Sequence, residues 1–310
     1  GSLEDNSEEE LVDIYEPEAA DLADGITYTD LPDRSGKIRK TASTDYGKLA
    51  KAIGDIQAAG IKVSLADINK SSFSFKPDIE NNQILFGLKG LLNVNDDLVK
   101  QIIENRPYAS PRDFLNKIKP KKQAMVSLIK GGAFDNMLDR KLCMGWYLWE
   151  ICDKKKRLTL QNMSALIKYN LLPKELELSK RVFEFNRYLK AVCKHDKDYY
   201  QLDNRAINFL VEIEEDDLIE QELLLKIKTW DKSVYQKYMD NIRSWLTINQ
   251  EQTLKDLNSL IFKEEWDKYA QGNLSSWEME VLCFYYHEHE LANVNNFRYG
   301  FSNFSQIPQE

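Results

Sequence analysis

The sequence predicts a mainly α-helical protein: a helix-hairpin-helix module with a small three-stranded β-sheet, followed by a larger all-helical region. Three observations predict it. Apolar residues recur at helical spacing from Leu98 onward, as Leu98, Val99, Ile102 and Ile103 and again through residues 138–272. Three short strand-like runs are crowded between residues 61 and 87. Between these regions an apolar, glycine-containing lead-in (Phe86, Gly87, Leu88, Gly90, Leu91) meets a tight turn at Asn93-Val94-Asn95. A hairpin of that order aims free backbone N–H groups at a phosphate and reads no base.

The elements follow in order. Residues 1–45 are acidic, poor in large apolar side chains and punctuated by Pro17, Gly25, Pro32 and Gly36, which reads as a mobile or loosely docked segment. A helix is expected over 46–59, with Leu49, Ile53 and Ile56 on one face and Gly60 as its stop. Strands are expected at 61–64, 72–76 and 83–87, with turns at Asp67/Asn69 and from Pro77-Asp78 to Asn81-Asn82. Asn93 and Asn95 tolerate the left-handed backbone of a turn at a cost glycine would not incur. Asp96 is the expected cap of the next helix, and Asp96 and Asp97 suit its dipole but repel phosphate. A second half of the motif starts at Ser110-Pro111, with proline at the first helical position, and passes through Asp113-Phe114-Leu115. Pro120 then opens a helix over 121–130 that Gly131-Gly132 close. These pieces group residues 46–138 into one module of sheet plus helix-hairpin-helix.

Residues 139–272 read as helix after helix. Three apolar stripes are expected in their core: Leu142, Trp146, Trp149 and Cys152; Val182, Phe185, Leu189 and Val192; and Trp230, Val234, Tyr238, Ile242 and Trp245. Residues 273–310 form a separate C-terminal segment.

Composition sets the class. With 30% charged and 43% hydrophobic residues the chain reads as soluble and globular, and its apolar runs fall short of the ~20 residues a membrane helix needs. The opening Gly-Ser reads as an expression remnant, and no signal peptide precedes the acidic stretch. Four scattered cysteines (Cys143, Cys152, Cys193, Cys283) fit reduced, mostly buried thiols in a reducing cytoplasm. The net charge of −8 is unevenly spread, because residues 1–24 contain ten of the 50 acids and none of the 42 bases. Residues 100–130 instead hold Lys100, Arg106, Arg112, Lys117, Lys119, Lys121, Lys122 and Lys130 against Glu104 and Asp113. Local potential rather than total charge governs phosphate contact, so this stretch is the candidate nucleic-acid surface. The expected contacts are Arg112, Lys117, Lys119, Lys121, Lys122 and Lys130, with the backbone N–H groups of Asn93, Val94 and Asn95.

Catalytic constellations are missing from the pattern. There is no phosphate-binding Gly-x-x-x-x-Gly-Lys-Ser/Thr loop and no Gly-x-Ser-x-Gly elbow. His287-Glu288-His289 and Cys193-Lys194-His195 place side chains at i and i+2, which share a face only on a strand, and neither has a fourth ligand nearby. The run from Gln83 to Phe86 has a faint likeness to sliding-clamp peptides but falls on an expected strand.

Four pieces in order carry a family resemblance: Gly60-Ile61-Lys62-Val63 with Asp67-Ile68-Asn69-Lys70-Ser71; Phe86-Gly87-Leu88; Leu128-Ile129-Lys130-Gly131-Gly132-Ala133-Phe134-Asp135; and Trp277 through Leu291. They resemble the DNA polymerase III alpha subunit of bacteria, a C-family polymerase, in its C-terminal fingers and helix-hairpin-helix region. The Tyr285-Tyr286-His287-x-His289 variant looks most like phage-encoded members. The family's hairpin usually has glycine where Asn93 and Asn95 stand, which puts its DNA grip here in question. The resemblance implies a non-catalytic piece of a DNA replication enzyme that grips duplex DNA without sequence specificity. The remaining palm and fingers domains, and replisome proteins, would be its partners, with no membrane involved. Residues 273–310 would lead toward an OB-fold absent from these 310 residues. Clustered palm aspartates that hold Mg²⁺ for nucleotidyl transfer have no match here, so no cofactor is expected in this piece. The alternative reading is a protein-interaction scaffold whose degenerate hairpin docks a replication partner or another polymerase domain.

Overall fold

The computed structural model describes residues 26–32 and 38–287. The chain divides into two compact units, one of residues 1–150 and 266–310, the other of residues 151–265.

In unit one, β1 (Ile26–Pro32) pairs antiparallel with β2 (Ile38–Thr44), Ile26 opposite Thr44. The sequence pattern pointed to no regular element here, although the isoleucines and threonines of both segments suit a strand. The ten-acid stretch of residues 1–24 lies outside the described residues. Helix α1 (Tyr46–Ala58) follows, capped by Asp45, whose carboxylate accepts the N–H groups of Gly47 and Lys48. Leu49, Ala52 and Ile53 form its buried stripe, and Gly60 ends it at φ +80°.

A three-stranded sheet then forms in the order β3 (Lys62–Ser64), β5 (Gln83–Leu85), β4 (Lys76–Asp78). β3 runs parallel and β4 antiparallel to the central strand, with Val63 and Pro77 both opposite Ile84. The strand expected at 72–76 therefore lies later, at 76–78. Residues 72 and 73 make other bonds instead, their carbonyls accepting the N–H groups of Leu88 and Lys89 at 3.0 and 3.1 Å. That close approach requires glycine at 87, where a Cβ would stand 2.5 Å from the Ser74 carbonyl carbon. Pro77 is tolerated because β4 is an edge strand. The Gln83 run forms the central strand β5, as its pattern suggested.

Helices α2 (Asp96–Glu104), α3 (Pro111–Ile118), α4 (Lys122–Lys130) and α5 (Arg140–Ile151) continue the chain, and α10 (Leu274–Leu282) completes this unit. Its core holds Phe86, Phe114, Phe134 and Trp277, each essentially without exposure. Phe114 meets Tyr108 and Phe134 edge-on at 5.0 and 5.2 Å, geometries that aromatic quadrupoles favour. The resemblance motifs are largely scaffolding. Asp67 accepts the N–H groups of Asn69 and Lys70, and Asn69 brackets both backbone groups of Tyr108. The stripe expected on α5 is corrected. Leu142 is 64% and Trp149 42% exposed, while Cys143, Met144, Tyr147 and Leu148 are buried. Apolar residues surround this helix, so periodicity could not choose its inner face.

Unit two contains α6 (Met163–Lys168), α7 (Glu177–Ala191), α8 (Asn204–Glu212) and most of the long α9 (Gln236–Tyr269). A helical turn at Ile227–Trp230 and a π-type turn at Asp231–Tyr235 lead into α9. This region, expected to be all-helical, also carries a small sheet in the order β6 (Tyr199–Gln201), β8 (Leu224–Lys226), β7 (Ile219–Glu220), all antiparallel. Val182, Phe185, Leu189, Trp230, Val234 and Ile242 form its core as the stripes predicted, but Val192, past the end of α7, is exposed. Trp230 donates its indole N–H to buried Asn186 at 3.0 Å.

Candidate nucleic-acid interface

Two hairpins stand side by side in unit one. The first follows the 3₁₀ turn Leu88–Gly90 and reaches the left-handed region at Asn93 (φ +62°), where the sequence lacks the family's glycine. Its amide does not project freely, because Nδ2 donates to Ser127 Oγ on α4 at 3.2 Å. The Val94 side chain is buried in the core, which leaves only its backbone to offer a ligand. Asn95, not Asp96, caps α2: its backbone is extended (φ −91°, ψ 167°) and its side chain accepts the Leu98 N–H at 2.9 Å. A cap needs that extended backbone, whereas Asp96 is already helical and pairs with Lys89 at 2.6 Å. The first hairpin thus offers a capped helix start flanked by Asp96 and Asp97.

The second hairpin is the opposite in character. α3, capped by Ser110 with Pro111 at its first position, ends at Lys119 in the left-handed conformation (φ +51°, ψ 54°). Pro120 follows, and Lys121 occupies the cap position of α4 without a side-chain cap hydrogen bond. No acid lies in the first turn of α4. The N–H groups of that turn keep the partial positive charge of a helix start, reinforced by Lys119 and Lys121. Both lysines are exposed, and among the described residues neither pairs with a carboxylate.

The two hairpins border one concavity of about 400 Å³, with Asn93, Asn95 and Asp97 on one side and Lys119, Lys121 and Gln123 on the other. The structure therefore brings four of the expected residues together: Asn93, Asn95, Lys119 and Lys121. The rest are engaged elsewhere. Arg112 pairs with Glu150 at 2.6 Å and lies over the Trp146 ring. Lys117 bonds Asp113 and the Pro107 carbonyl, both at 2.9 Å. Lys122 stands over the Tyr269 ring at 5.1 Å. Lys130 is 7% exposed and pairs with Glu280 at 2.5 Å. Arg106 of the same basic stretch turns inward onto the carbonyls of Ile68 and Ser71. Gln123 and the open N–H groups of α4 were not singled out from the sequence; the signal available was the absence of Ser, Thr, Asp or Asn at position 121.

Behind the hairpins, a buried ionic network joins α4, α5 and α10. Arg140 donates to the Lys130 carbonyl, to Glu278 at 2.8 Å and to Asp135 at 2.6 Å. Glu278, wholly buried, also accepts the N–H groups of Tyr286 and His287 and bonds His287 Nδ1 at 2.6 Å. Burial pushes the Glu278 carboxyl up, but the His287 backbone and ring and then Arg140 outweigh it and hold the group below its ordinary range. His287 is thus occupied by a carboxylate; Glu288 and His289 lie outside the described residues. Cys193 and His195 meet only through the Cys193 carbonyl, at 3.1 Å from the imidazole. Among the described residues no three His, Cys, Asp or Glu side chains gather in a way that could hold a metal ion, and no helix is long and apolar enough to cross a membrane.

Paired hairpins on a small helical module are the arrangement of a helix-hairpin-helix motif, and a family model described by that name matches residues 60–142. The relatives are polymerases. The chain is 40% identical over 285 residues to a "Probable DNA polymerase YorL" of Bacillus subtilis (strain 168), and equally to a "DNA-directed DNA polymerase" of Bacillus phage SPbeta. Those matches take in 88% of this chain but only 22% of each relative. It is also 39% identical over 103 residues to the DNA polymerase III subunit alpha of Thermus aquaticus, 31% of this chain and 8% of that one. The chain is homologous to a segment of these DNA polymerases, as its motifs indicated.

Proposed function

We propose that this chain grips duplex DNA without sequence specificity, as a non-catalytic segment of a phage-type C-family polymerase. One observation carries the reading: an uncapped, acid-free helix start at α4, flanked by Lys119 and Lys121 with no carboxylate partner among the described residues, opens onto a concavity shared by both hairpins. Such an arrangement holds sugar–phosphate backbone and reads no base. The second hairpin is the principal contact, since the first presents Asp96 and Asp97 beside a helix start already capped by Asn95. Nucleotidyl transfer, its Mg²⁺ and the palm that binds it belong to other parts of the longer polymerase in this reading, and those parts are the partners of this segment.

Fluorescence anisotropy on random-sequence duplex at several salt concentrations tests it. Wild type binds weakly with a steep salt dependence, and Lys119→Ala with Lys121→Ala lowers the log–log slope by about 2, at about 0.9 per phosphate contact. Absence of binding at low salt rejects the grip and leaves the scaffold reading, which the internal pairing of Arg112, Lys117 and Lys130 favours.

A further inference from the structure

Unit two carries a basic run, Lys154-Lys155-Lys156-Arg157, in a different unit from the hairpins. A basic run is by itself a solvated surface. This one is pinned. Two amide side chains on α9, eight residues apart and so on one face of the helix, each bracket one residue of the neighbouring segment. Asn258 accepts the Lys155 N–H at 2.7 Å and donates to the Lys155 carbonyl at 2.9 Å. Gln250 accepts the Leu158 N–H at 2.5 Å and donates to its carbonyl at 3.2 Å. Leu158 is buried in the core of the unit, which anchors the same segment from its other end. Between the brackets, Lys156 and Arg157 are exposed, and among the described residues neither has a carboxylate partner, whereas Lys155 pairs with Asp153.

Arg157 stands at the edge of a concavity of about 490 Å³ whose other polar residues are Thr159, Gln161, Arg243, Thr247 and Gln250. Among the described residues no carboxylate lines it. Arg243 is oriented by Asp240 and Gln236, and the Arg157 guanidinium is uncommitted. The uncommitted Arg157 guanidinium and the Gln161 amide at a carboxylate-free hollow, with Lys156 free beside them, match phosphate oxygens. Pre-ordering the backbone lowers the entropy lost when those cations are held by a ligand.

We propose that the bracketed segment Lys156–Arg157, with the Arg157–Arg243 hollow, is a second contact for the phosphate backbone of a nucleic acid. It stands apart from the hairpin reading and rests on different residues. Asn258 and Gln250 are positioning residues in it: they touch no phosphate and act by holding the cations in place.

The full chain is titrated against a fluorescein-labelled random-sequence duplex, and against one of its strands alone, over a range of salt. Lys156→Ala with Arg157→Ala lowers the duplex log–log slope by roughly 2. Loss on both forms assigns a contact to backbone common to them, and loss on one form alone assigns that form as the ligand. Asn258→Leu weakens binding while the slope stays near that of wild type, because the charges remain but are no longer pre-placed; circular dichroism checks that the fold is kept. Affinity and slope of the Lys156/Arg157 variant equal to those of wild type would overturn the proposal. So would displacement of the DNA by polyglutamate at equal charge concentration, which assigns the surface to an acidic protein. Running Lys119→Ala with Lys121→Ala in parallel separates the two sites, since either pair of substitutions can lose its effect while the other retains it.

Discussion

Asn93 shows how one side chain can replace a glycine. Its left-handed backbone costs energy that glycine would spare, about 0.5–1 kcal/mol, and its amide recovers a comparable amount by bonding Ser127 on α4. Asn93→Gly is therefore expected to leave stability nearly unchanged. A double-mutant cycle with Ser127→Ala, read by urea denaturation, should return a coupling of about 1 kcal/mol, and a coupling within error of zero would show that the bond contributes nothing. Glu278 is the second informative residue. Its carboxyl sits below the ordinary value of 4.5 in the folded chain, so its contribution to stability is present above that value and is lost as the pH falls through the depressed one. Glu278→Gln leaves Asp135 as the one carboxylate facing the buried Arg140 and should cost about 3 kcal/mol at pH 7. Denaturation midpoints from pH 7 to pH 3 should show an acid-sensitive component in wild type that this variant lacks. Parallel pH profiles for the two proteins would refute the assignment.

The missing cap of α4 can be supplied. Lys121 has the extended backbone of a cap residue, so Lys121→Ser should satisfy an N–H of the first turn and stabilise the protein by about 1 kcal/mol. The same change removes a cation and fills the open helix start, so the salt slope for duplex DNA should fall by about 0.9. Stability and binding moving together, rather than in opposite directions, would count against the second hairpin as the phosphate contact. The hairpins were legible from the sequence because Gly87, Asn93, Pro111, Pro120 and Gly132 mark turns and helix boundaries locally, whatever surrounds them. Which cations stay free was not legible. Lys130 is claimed by Glu280 and Arg112 by Glu150, partners 150 and 38 residues away that no local pattern reveals. The sheet in unit two escaped for a different reason: strands of two or three residues are too short to display a period of two. The basic run at 154–157 was visible but mute, since its brackets come from α9, about 100 residues later.

Unit one is discontinuous, formed by residues on both sides of unit two. The two flanks lie close together within it: a Cβ on Gly145 of α5 would touch the Trp266 ring of α9 at 3.8 Å. Replacing residues 151–265 by a short Gly/Ser linker should therefore leave unit one folded, with its salt-dependent duplex binding intact. A product that is unfolded by circular dichroism would show that unit one depends on unit two. The Arg140–Glu278 bond also orders events in time. It joins groups 138 residues apart, and the Lys130–Glu280 pair spans 150. On a ribosome, the contiguous 151–265 body can close as soon as its own chain has emerged, whereas Arg140 has only Asp135 and the Lys130 carbonyl to satisfy it until α10 is synthesised. The body in the middle of the chain is thus complete before the one that begins it.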